Sequence, residues 1–158
     1  MCIDMNTTAT QNWIMLVSLL VTMGTTIFLQ IKSNNNTQKE FLDKQLQEIQ
    51  RLSFYDSFVE NENYTNSWVL NKELYNRKEL NNEDLNNFLK YDVYTEMIFN
   101  FLEMSFKFYK TEKKLLNYVD FKSWLRIHAK CWQNPLQEHS NREVYGDKLC
   151  DMVDRWLK

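Results

Sequence analysis

An uncharged stretch from Gln11 to Ile31 limits what this chain can fold into more than any other feature of its sequence. A helix of about twenty residues spans roughly 30 Å, the thickness of the hydrocarbon core of a bilayer. A soluble helix of this length would carry a polar face, whereas the only polar residues after Asn12 are Ser, Thr and one Gln. We therefore predict that residues 12–31 form a transmembrane helix.

The flanks of this segment predict its orientation. Trp13 lies where an interfacial aromatic ring is expected, and Lys32 closes the other end, so we predict both as membrane-interface anchors. No Lys or Arg precedes the segment, whereas Lys32, Lys39 and Lys44 follow it. The positive-inside rule then predicts a short extracytoplasmic N-terminus over residues 1–11, a single pass through the plasma (inner) membrane, and a cytoplasmic C-terminal domain.

A cleaved signal peptide is the alternative interpretation of the same segment. A signal peptide would have a basic start, a shorter apolar stretch and a cleavage site with small residues. Residues 1–11 contain no basic side chain, and the run from Phe28 to Ile31 is a poor cleavage site. These features favour an uncleaved anchor.

Small hydroxyl side chains form a stripe along the predicted transmembrane helix. Ser18, Thr22 and Thr25 fall on one narrow face, with Thr26 just beyond it. Residues of this kind let two membrane helices approach closely, so the stripe is a candidate helix-association face and the chain a candidate homo-oligomer. In the alternative interpretation, each hydroxyl bonds to a carbonyl of its own helix and faces lipid.

The rest of the chain predicts a helical domain. Among 158 residues there are 2 Gly and 1 Pro, too few for the many tight turns of a strand-rich fold. We therefore predict an all-α protein: one N-terminal transmembrane helix plus a compact cytoplasmic bundle of about five helices. Residues 32–36 are predicted to be a polar linker, and residues 37–158 the cytoplasmic helical domain.

Apolar side chains at helical spacing, together with capping residues, set the expected boundaries in the bundle. The predicted helices cover residues 37–60, a stretch from Ser67, a stretch from Asn81, residues 92–110, residues 119–133, and a last helix from Ser140. Residues 92–110 are apolar on most sides, which predicts a central buried helix. The pair Asn134-Pro135 is expected to end the helix before it, and Gly146 to weaken the last one slightly.

Charge and cysteine content exclude some classes of function. The formal net charge is −2 and no basic block occurs, so a nucleic-acid partner is not expected. The chain has 3 scattered Cys, which does not suit a disulfide framework and fits a reducing compartment. The expected partners are the lipid bilayer and an unidentified protein.

Two residues three apart on a predicted helix, His128 and Cys131, have the spacing of metal ligands or of a nucleophile and its base. His139 and Cys150 are the residues available to complete a site. No CxxC or HxxxH pair occurs, however, and His128 lies within an apolar stripe. We therefore predict core packing, with no metal, no cofactor and no enzyme activity.

The segment Phe99-Asn100-Phe101-Leu102-Glu103, with Phe121-x-x-Trp124 and the aromatic helix around it, carries a resemblance. Over residues 90–158 the chain resembles a group of small bacterial and phage-associated membrane-anchored helical proteins of unknown function. The resemblance implies a fold and a membrane address, and it makes Asn100 and Glu103 candidate inter-helix hydrogen-bonding residues. For Glu103 the alternative is a surface ion pair with Lys107, four residues later.

Together these patterns predict a membrane-anchored, non-enzymatic helical interaction or regulatory module. The first alternative is an oligomerising membrane effector of the defence or toxin type, which would act through its transmembrane helix. A weaker hypothesis is a membrane-bound hydrolase that uses Cys131 and His128.

Overall fold

The computed structural model describes residues 5–134 and 141–158, and all regular secondary structure in these residues is helical. The elements are α1 (Met5–Tyr55), a 3-10 helix (Ser57–Glu60), α2 (Glu62–Asn66), α3 (Trp68–Arg77), α4 (Asn82–Tyr109), α5 (Glu112–Tyr118), α6 (Phe121–Ile127), α7 (Ala129–Gln133), α8 (Asn141–Tyr145) and α9 (Asp147–Trp156). The all-α prediction is confirmed.

The chain divides into two compact units, Met1–Phe41 and Leu42–Lys158. In the first unit, α1 is long and apolar enough to cross a membrane. Each large apolar side chain described between Trp13 and Ile31 is 50–68% exposed, with Trp13 at 68%. Lys32 is also exposed. The large apolar side chains described in this part of α1 are therefore uncovered on every side of the helix.

The predicted polar linker at residues 32–36 is wrong, because these residues are helical within α1. Thr37, expected to open a new helix, instead donates its hydroxyl to the carbonyl of Ser33 at 3.1 Å, as a residue in a helix interior does. Asn and Ser are poorer helix formers than Ala by only about 0.5–0.7 kcal/mol each. A short run of them does not interrupt a helix that is already nucleated on both sides.

The second unit has α4 at its centre. The fully buried side chains of α4 include Tyr91, Ile98, Phe101 and Leu102. The predicted central helix is thus confirmed, but it is continuous with the separate stretch predicted from Asn81, because α4 runs from Asn82 to Tyr109. The predicted start is set by Asn81, whose side-chain oxygen accepts a hydrogen bond from the amide of Asp84 at 2.9 Å.

Other elements complete the core around α4. The second unit's part of α1 contributes Leu42 and Ile49, and α9 contributes Leu149 and Val153, all four of which are buried. The remaining buried apolar residues come from the 3-10 helix and from α3, α5, α6 and α7: Val59, Trp68, Leu115, Phe121, Leu125, Cys131 and Trp132. This packing supplies one continuous core for the unit.

The prediction of about five helices in the bundle is wrong, since the described residues form nine α-helices, all but the first of which lie wholly within the second unit. The predicted helix over residues 119–133 is divided at His128 into α6 and α7. The predicted last helix is divided at Gly146, whose φ of +76° only glycine adopts readily. Helices of five residues, such as α2, are too short to show a hydrophobic period.

Helix ends in this unit use unusual residues. The end predicted before Pro135 is confirmed, because α7 stops at Gln133; Pro135 itself and Ser140 lie outside the described residues. The helices α3 and α4 are followed by Lys78 and Lys110, each with φ of +60° in the left-handed region. Glycine usually occupies that position, because a side chain with a Cβ is strained there.

Candidate functional site

The carboxylate of Glu60, at the end of the 3-10 helix, is the meeting point of three polar side chains. Its Oε1 atom accepts hydrogen bonds from the hydroxyl of Tyr94 on α4 and from Nε1 of Trp124 on α6, the latter at 2.8 Å. The same oxygen lies 3.5 Å from Nε2 of His128, the residue between α6 and α7. We call these residues, together with Tyr91, the Glu60 cluster.

His128 connects the carboxylate to a second tyrosine. Its Nδ1 lies 3.0 Å from the hydroxyl of Tyr91, and both residues are 0% exposed. When Tyr91 donates to Nδ1, the ring hydrogen is on Nε2 and faces Glu60. Among the described residues, Nε2 has no well-formed hydrogen bond, so its contact with the carboxylate is electrostatic.

The charge state of the Glu60 cluster follows from its contacts. Burial raises the pKa of Glu60. The combined effect of its contacts with His128, Tyr94 and Trp124 is in the opposite direction and larger, so the pKa of the carboxylate lies below its ordinary value. Burial also raises the pKa of Tyr91 and of Tyr94 well above the usual range, which keeps both phenols protonated. At neutral pH the cluster therefore holds an ionised Glu60 carboxylate, which accepts hydrogen bonds from the Tyr94 hydroxyl and from Trp124.

Access decides what this chemistry can do. A general acid or base must reach its substrate directly or through one water. Tyr91 and His128 are fully buried, whereas Glu60 has 27% of its side chain exposed and Trp124 is partly exposed. The cluster therefore joins the 3-10 helix to α4 and α6, and Oε1 of the Glu60 carboxylate is occupied by hydrogen bonds from Tyr94 and Trp124.

Cys131 is not placed as an activated nucleophile. Its Sγ donates a hydrogen bond to Oγ1 of Thr95 at 3.2 Å, and burial raises its pKa to about 12. The reactive species of cysteine is the thiolate, which such a thiol does not form at neutral pH. Both ring nitrogens of His128 are directed at other residues, Tyr91 and Glu60. This geometry argues against the hydrolase hypothesis.

A metal site has no support in the described part of the chain. There, no group of three or more His, Cys, Asp and Glu side chains is arranged to hold a metal ion. Cys150 is buried in α9. His139, the remaining residue of the ligand set considered above, lies outside the described residues.

The hydroxyl stripe of α1 is bonded within its own helix. Ser18 donates to the carbonyl of Met15 at 2.9 Å, and Thr22 to that of Ser18 at 2.8 Å. Thr25 and Thr26 both donate to the carbonyl of Thr22, at 2.9 Å and 2.8 Å. These are the bonds expected if each hydroxyl bonds to a carbonyl of its own helix. With these bonds made, the hydroxyls do not require a second helix as a hydrogen-bond partner.

The two candidate polar contacts of α4 differ. Asn100 accepts a hydrogen bond from the hydroxyl of Tyr145 on α8, at 3.4 Å. Glu103 forms an ion pair at 2.8 Å with Lys107, one turn later in the same helix. Asn100 therefore joins two helices, whereas Glu103 has the surface pair of its alternative interpretation.

An open groove of about 390 Å³ lies on the surface of the second unit. One wall is the end of α1 with the 3-10 helix, and the other is α4; the lining residues are Leu52, Asp56, Val59, Asn86, Leu89, Lys90, Val93 and Tyr94. A single ion pair at 2.7 Å, between Lys90 Nζ and Asp56 Oδ1, joins the two walls. The groove is otherwise largely apolar, which is typical of binding surfaces.

Sequence reasoning missed both the groove and the Glu60 cluster. Leu89 and Val93 are apolar residues of α4, and they are 45% and 57% exposed. Glu60 lies in a stretch with no motif. Its two hydrogen-bond donors, Tyr94 and Trp124, follow 34 and 64 residues later in the sequence. The available signal for the groove was that α4 has more apolar positions than one buried face needs.

Comparisons with models of known protein families, with curated proteins and with solved structures found no match. The resemblance of residues 90–158 to small bacterial and phage-associated membrane-anchored proteins therefore stays a prediction.

Proposed function

We propose that this chain is a single-pass membrane protein whose helical domain acts by binding a partner rather than by catalysis. The observation that carries the proposal is the uncovered apolar surface of α1. Twelve large apolar side chains between residues 13 and 31 are at least 50% exposed. Moving each of them from water into hydrocarbon contributes about 1.5–3 kcal/mol, so a bilayer is the environment that this surface favours.

The flanking charges support an orientation with the N-terminus outside. Lys32 follows the apolar segment directly, and Lys39 and Lys44 lie within the next two to four turns. Basic residues stay on the cytoplasmic side of a membrane helix. In this proposal the domain lies at the cytoplasmic face of the plasma (inner) membrane.

The second unit supports binding over catalysis. In the Glu60 cluster Tyr91 and His128 are fully buried, and burial keeps Cys131 a neutral thiol. The groove between α1, the 3-10 helix and α4 is open and mostly apolar. A packed core beside an open, mostly apolar groove suits a protein that holds a partner.

The oligomerising effector remains the alternative function. It requires the stripe at Ser18, Thr22 and Thr25 to hold helices together. The hydroxyls already bond within α1, so no described contact favours this function over a plain anchor.

Topology labelling tests the proposal. Because Cys131 and Cys150 are buried, neither reports topology, and an exposed position is needed. Asn82→Cys provides one, at the exposed start of α4. A membrane-impermeant maleimide applied to intact cells should modify Cys2 and leave Asn82→Cys untouched until the cells are permeabilised. The protein should also stay in the membrane fraction after alkaline carbonate extraction.

Two results would contradict the proposal. Labelling of Asn82→Cys in intact cells would show that the domain faces the outside. Recovery of the protein in the soluble fraction would show that α1 does not anchor it in the membrane. The effector alternative has its own test: the triple replacement of Ser18, Thr22 and Thr25 by Leu. Loss of a detergent-stable oligomer in that variant would favour the effector, whereas an unchanged mass is expected for a plain anchor.

A further inference from the structure

Residues 32–41 are a stretch of α1 in which every side chain is exposed and all but the last are polar. Before them lies the apolar part, residues 13–31, which the proposed anchor places in hydrocarbon. After them, Leu42 and Ile49 are 3% and 0% exposed and pack into the core of the second unit. The segment 32–41 is thus covered neither by the core nor, in the proposed arrangement, by lipid.

The sequence of this segment is a poor helix former. Residues 33–37 are Ser, Asn, Asn, Asn and Thr, whose side chains compete with the helix by bonding to nearby backbone groups. The hydroxyl of Thr37 donates to the carbonyl of Ser33, a bond of the kind that slightly destabilises a helix. No ion pair between described residues includes a residue of 32–41, so side-chain charges do not support the helix here.

Length and exposure make this part of the helix marginal. A helix shorter than about 12–15 residues is marginal in water by itself, and most helices in proteins are stabilised by packing one face. Backbone segments with few buried contacts and solvent-exposed hydrogen bonds open at low free energy. In hydrocarbon the opposite holds, because a freed backbone group finds no water to bond. Residues 32–41 should therefore open before the parts of α1 on either side.

We propose that residues 32–41 are a coupling that is helical in its main state and unwinds locally in a minor state, while the bundle stays folded. Ten residues span about 15 Å as a helix and up to about 33–36 Å when extended. Opening therefore roughly doubles the length of the tether between membrane and bundle, and it frees the bundle to turn toward a partner. This consequence, though not the opening itself, rests on the proposed anchor and binding function.

Hydrogen exchange of the full chain in phosphatidylcholine nanodiscs tests the coupling, with protection factors measured by mass spectrometry. The amides of residues 36–41 bond to carbonyls within the segment. They should be at least about hundredfold less protected than the amides of residues 45–52, which lie in the same helix beside the core. Equal protection of these two ranges would overturn the inference. Residues 17–31 report on the anchor separately: weak protection there contradicts the anchor and leaves the comparison of the other two ranges intact.

A triple variant then tests the cause of the opening. Asn34→Ala, Asn35→Ala and Asn36→Ala together should raise the protection of residues 36–41 about tenfold to thirtyfold, because Ala is the better helix former. Asn86→Ala is the matched control, since it makes the same replacement at an exposed position of α4. It should leave the protection of residues 36–41 unchanged. No effect of the triple variant, or an equal effect of the control, would overturn the inference.

A proline variant tests whether the opening is local. Asn36→Pro should hold the segment open, because proline has no amide hydrogen and its ring clashes with the carbonyl of Lys32, four residues earlier. The protection of residues 37–41 should fall close to that of an unfolded chain, while residues 45–52 keep theirs within about threefold. Loss of protection in residues 45–52 as well would overturn the inference, because α1 would then open as one unit.

Discussion

The two units of this chain use apolar side chains in opposite ways. In the first unit, Leu19 and Leu20 are 60% and 59% exposed, as are their neighbours all round the helix. In the second unit, Leu102 and Leu125 are 0% exposed. The side chains are the same, and the difference lies in what separates them along the sequence. In the second unit, charged residues alternate with apolar ones so that each helix has a polar and an apolar face, whereas residues 12–31 carry no charge, which is typical of a helix in a nonpolar environment.

Polar groups show the same contrast. The hydroxyls of Ser18 and Thr22 bond to carbonyls three and four residues away. In the second unit, Tyr118 donates to Asp43 at 2.7 Å across 75 residues of sequence. A membrane helix has to satisfy its polar groups locally, whereas a folded domain satisfies many of them through tertiary contacts.

The largest effect is expected from charging the uncovered helix. The double variant Leu19→Arg with Leu20→Arg costs about 5–7 kcal/mol of insertion free energy, at roughly 2.5–3.5 kcal/mol for each charge at a helix centre. The protein should leave the carbonate-resistant membrane fraction. Leu70→Arg, at a side chain that is 56% exposed on α3, is the control and should stay in the membrane. Equal retention of both proteins would mean that the first unit is not the anchor.

The second test compares two phenylalanines of the second unit. Phe101 is 0% exposed on α4, and Phe54 is 83% exposed near the end of α1. Phe101→Ala should lower the free energy of unfolding by about 3–5 kcal/mol, because it leaves a cavity in the core. Phe54→Ala should change it by less than about 0.5 kcal/mol. Urea unfolding of the membrane-reconstituted protein, followed by tryptophan fluorescence, gives both values.

Much of the fold was predictable, because α4 and the end of α7 are set by local signals. The hydrophobic content of residues 92–110 predicted that this helix is central, as α4 is. Pro135 predicted the end of the helix before it, and α7 ends at Gln133. The Glu60 cluster was not predictable. Its members come from a 3-10 helix, α4 and α6, and no local pattern states that they meet. The groove was missed for the same reason, since tertiary packing decides which apolar positions stay uncovered.

The third prediction concerns pH and the Glu60 carboxylate. The folded state lowers the pKa of Glu60, so its ionised form stabilises the fold at pH values above the unfolded pKa, about 4.3. This contribution is lost as the pH falls through the folded pKa. Glu60→Gln should therefore lower the free energy of unfolding by about 1–3 kcal/mol at pH 7. The gap from the wild type should narrow below about pH 4.

The control for this pH dependence is Glu62→Gln. Glu62 is exposed at the start of α2, two residues along the chain, and its replacement should change stability little at either pH. A gap between wild type and Glu60→Gln that stays constant from pH 7 to pH 3 would show that the carboxylate acts by shape alone.

The smallest effect is expected at a helix end. Lys78 has φ of +60°, which strains a residue with a Cβ. Lys78→Gly should raise the free energy of unfolding by about 0.5–1 kcal/mol, because glycine adopts this conformation without strain. Lys78→Ala removes the same charge, keeps the Cβ and should not stabilise. Equal effects of the two replacements would mean that the gain comes from charge and not from backbone conformation.

The Glu60 cluster also has a consequence for the order of events during synthesis. The ribosome adds about 5–20 residues each second, and the apolar part of α1 is made before any of the bundle. The two hydrogen-bond donors of Glu60 are made later: Tyr94 after 34 further residues and Trp124 after 64. Until Trp124 is made, the Glu60 carboxylate lacks one of its two hydrogen-bond donors. In the proposed single-pass arrangement, the apolar segment therefore reaches the membrane several seconds before the bundle can close.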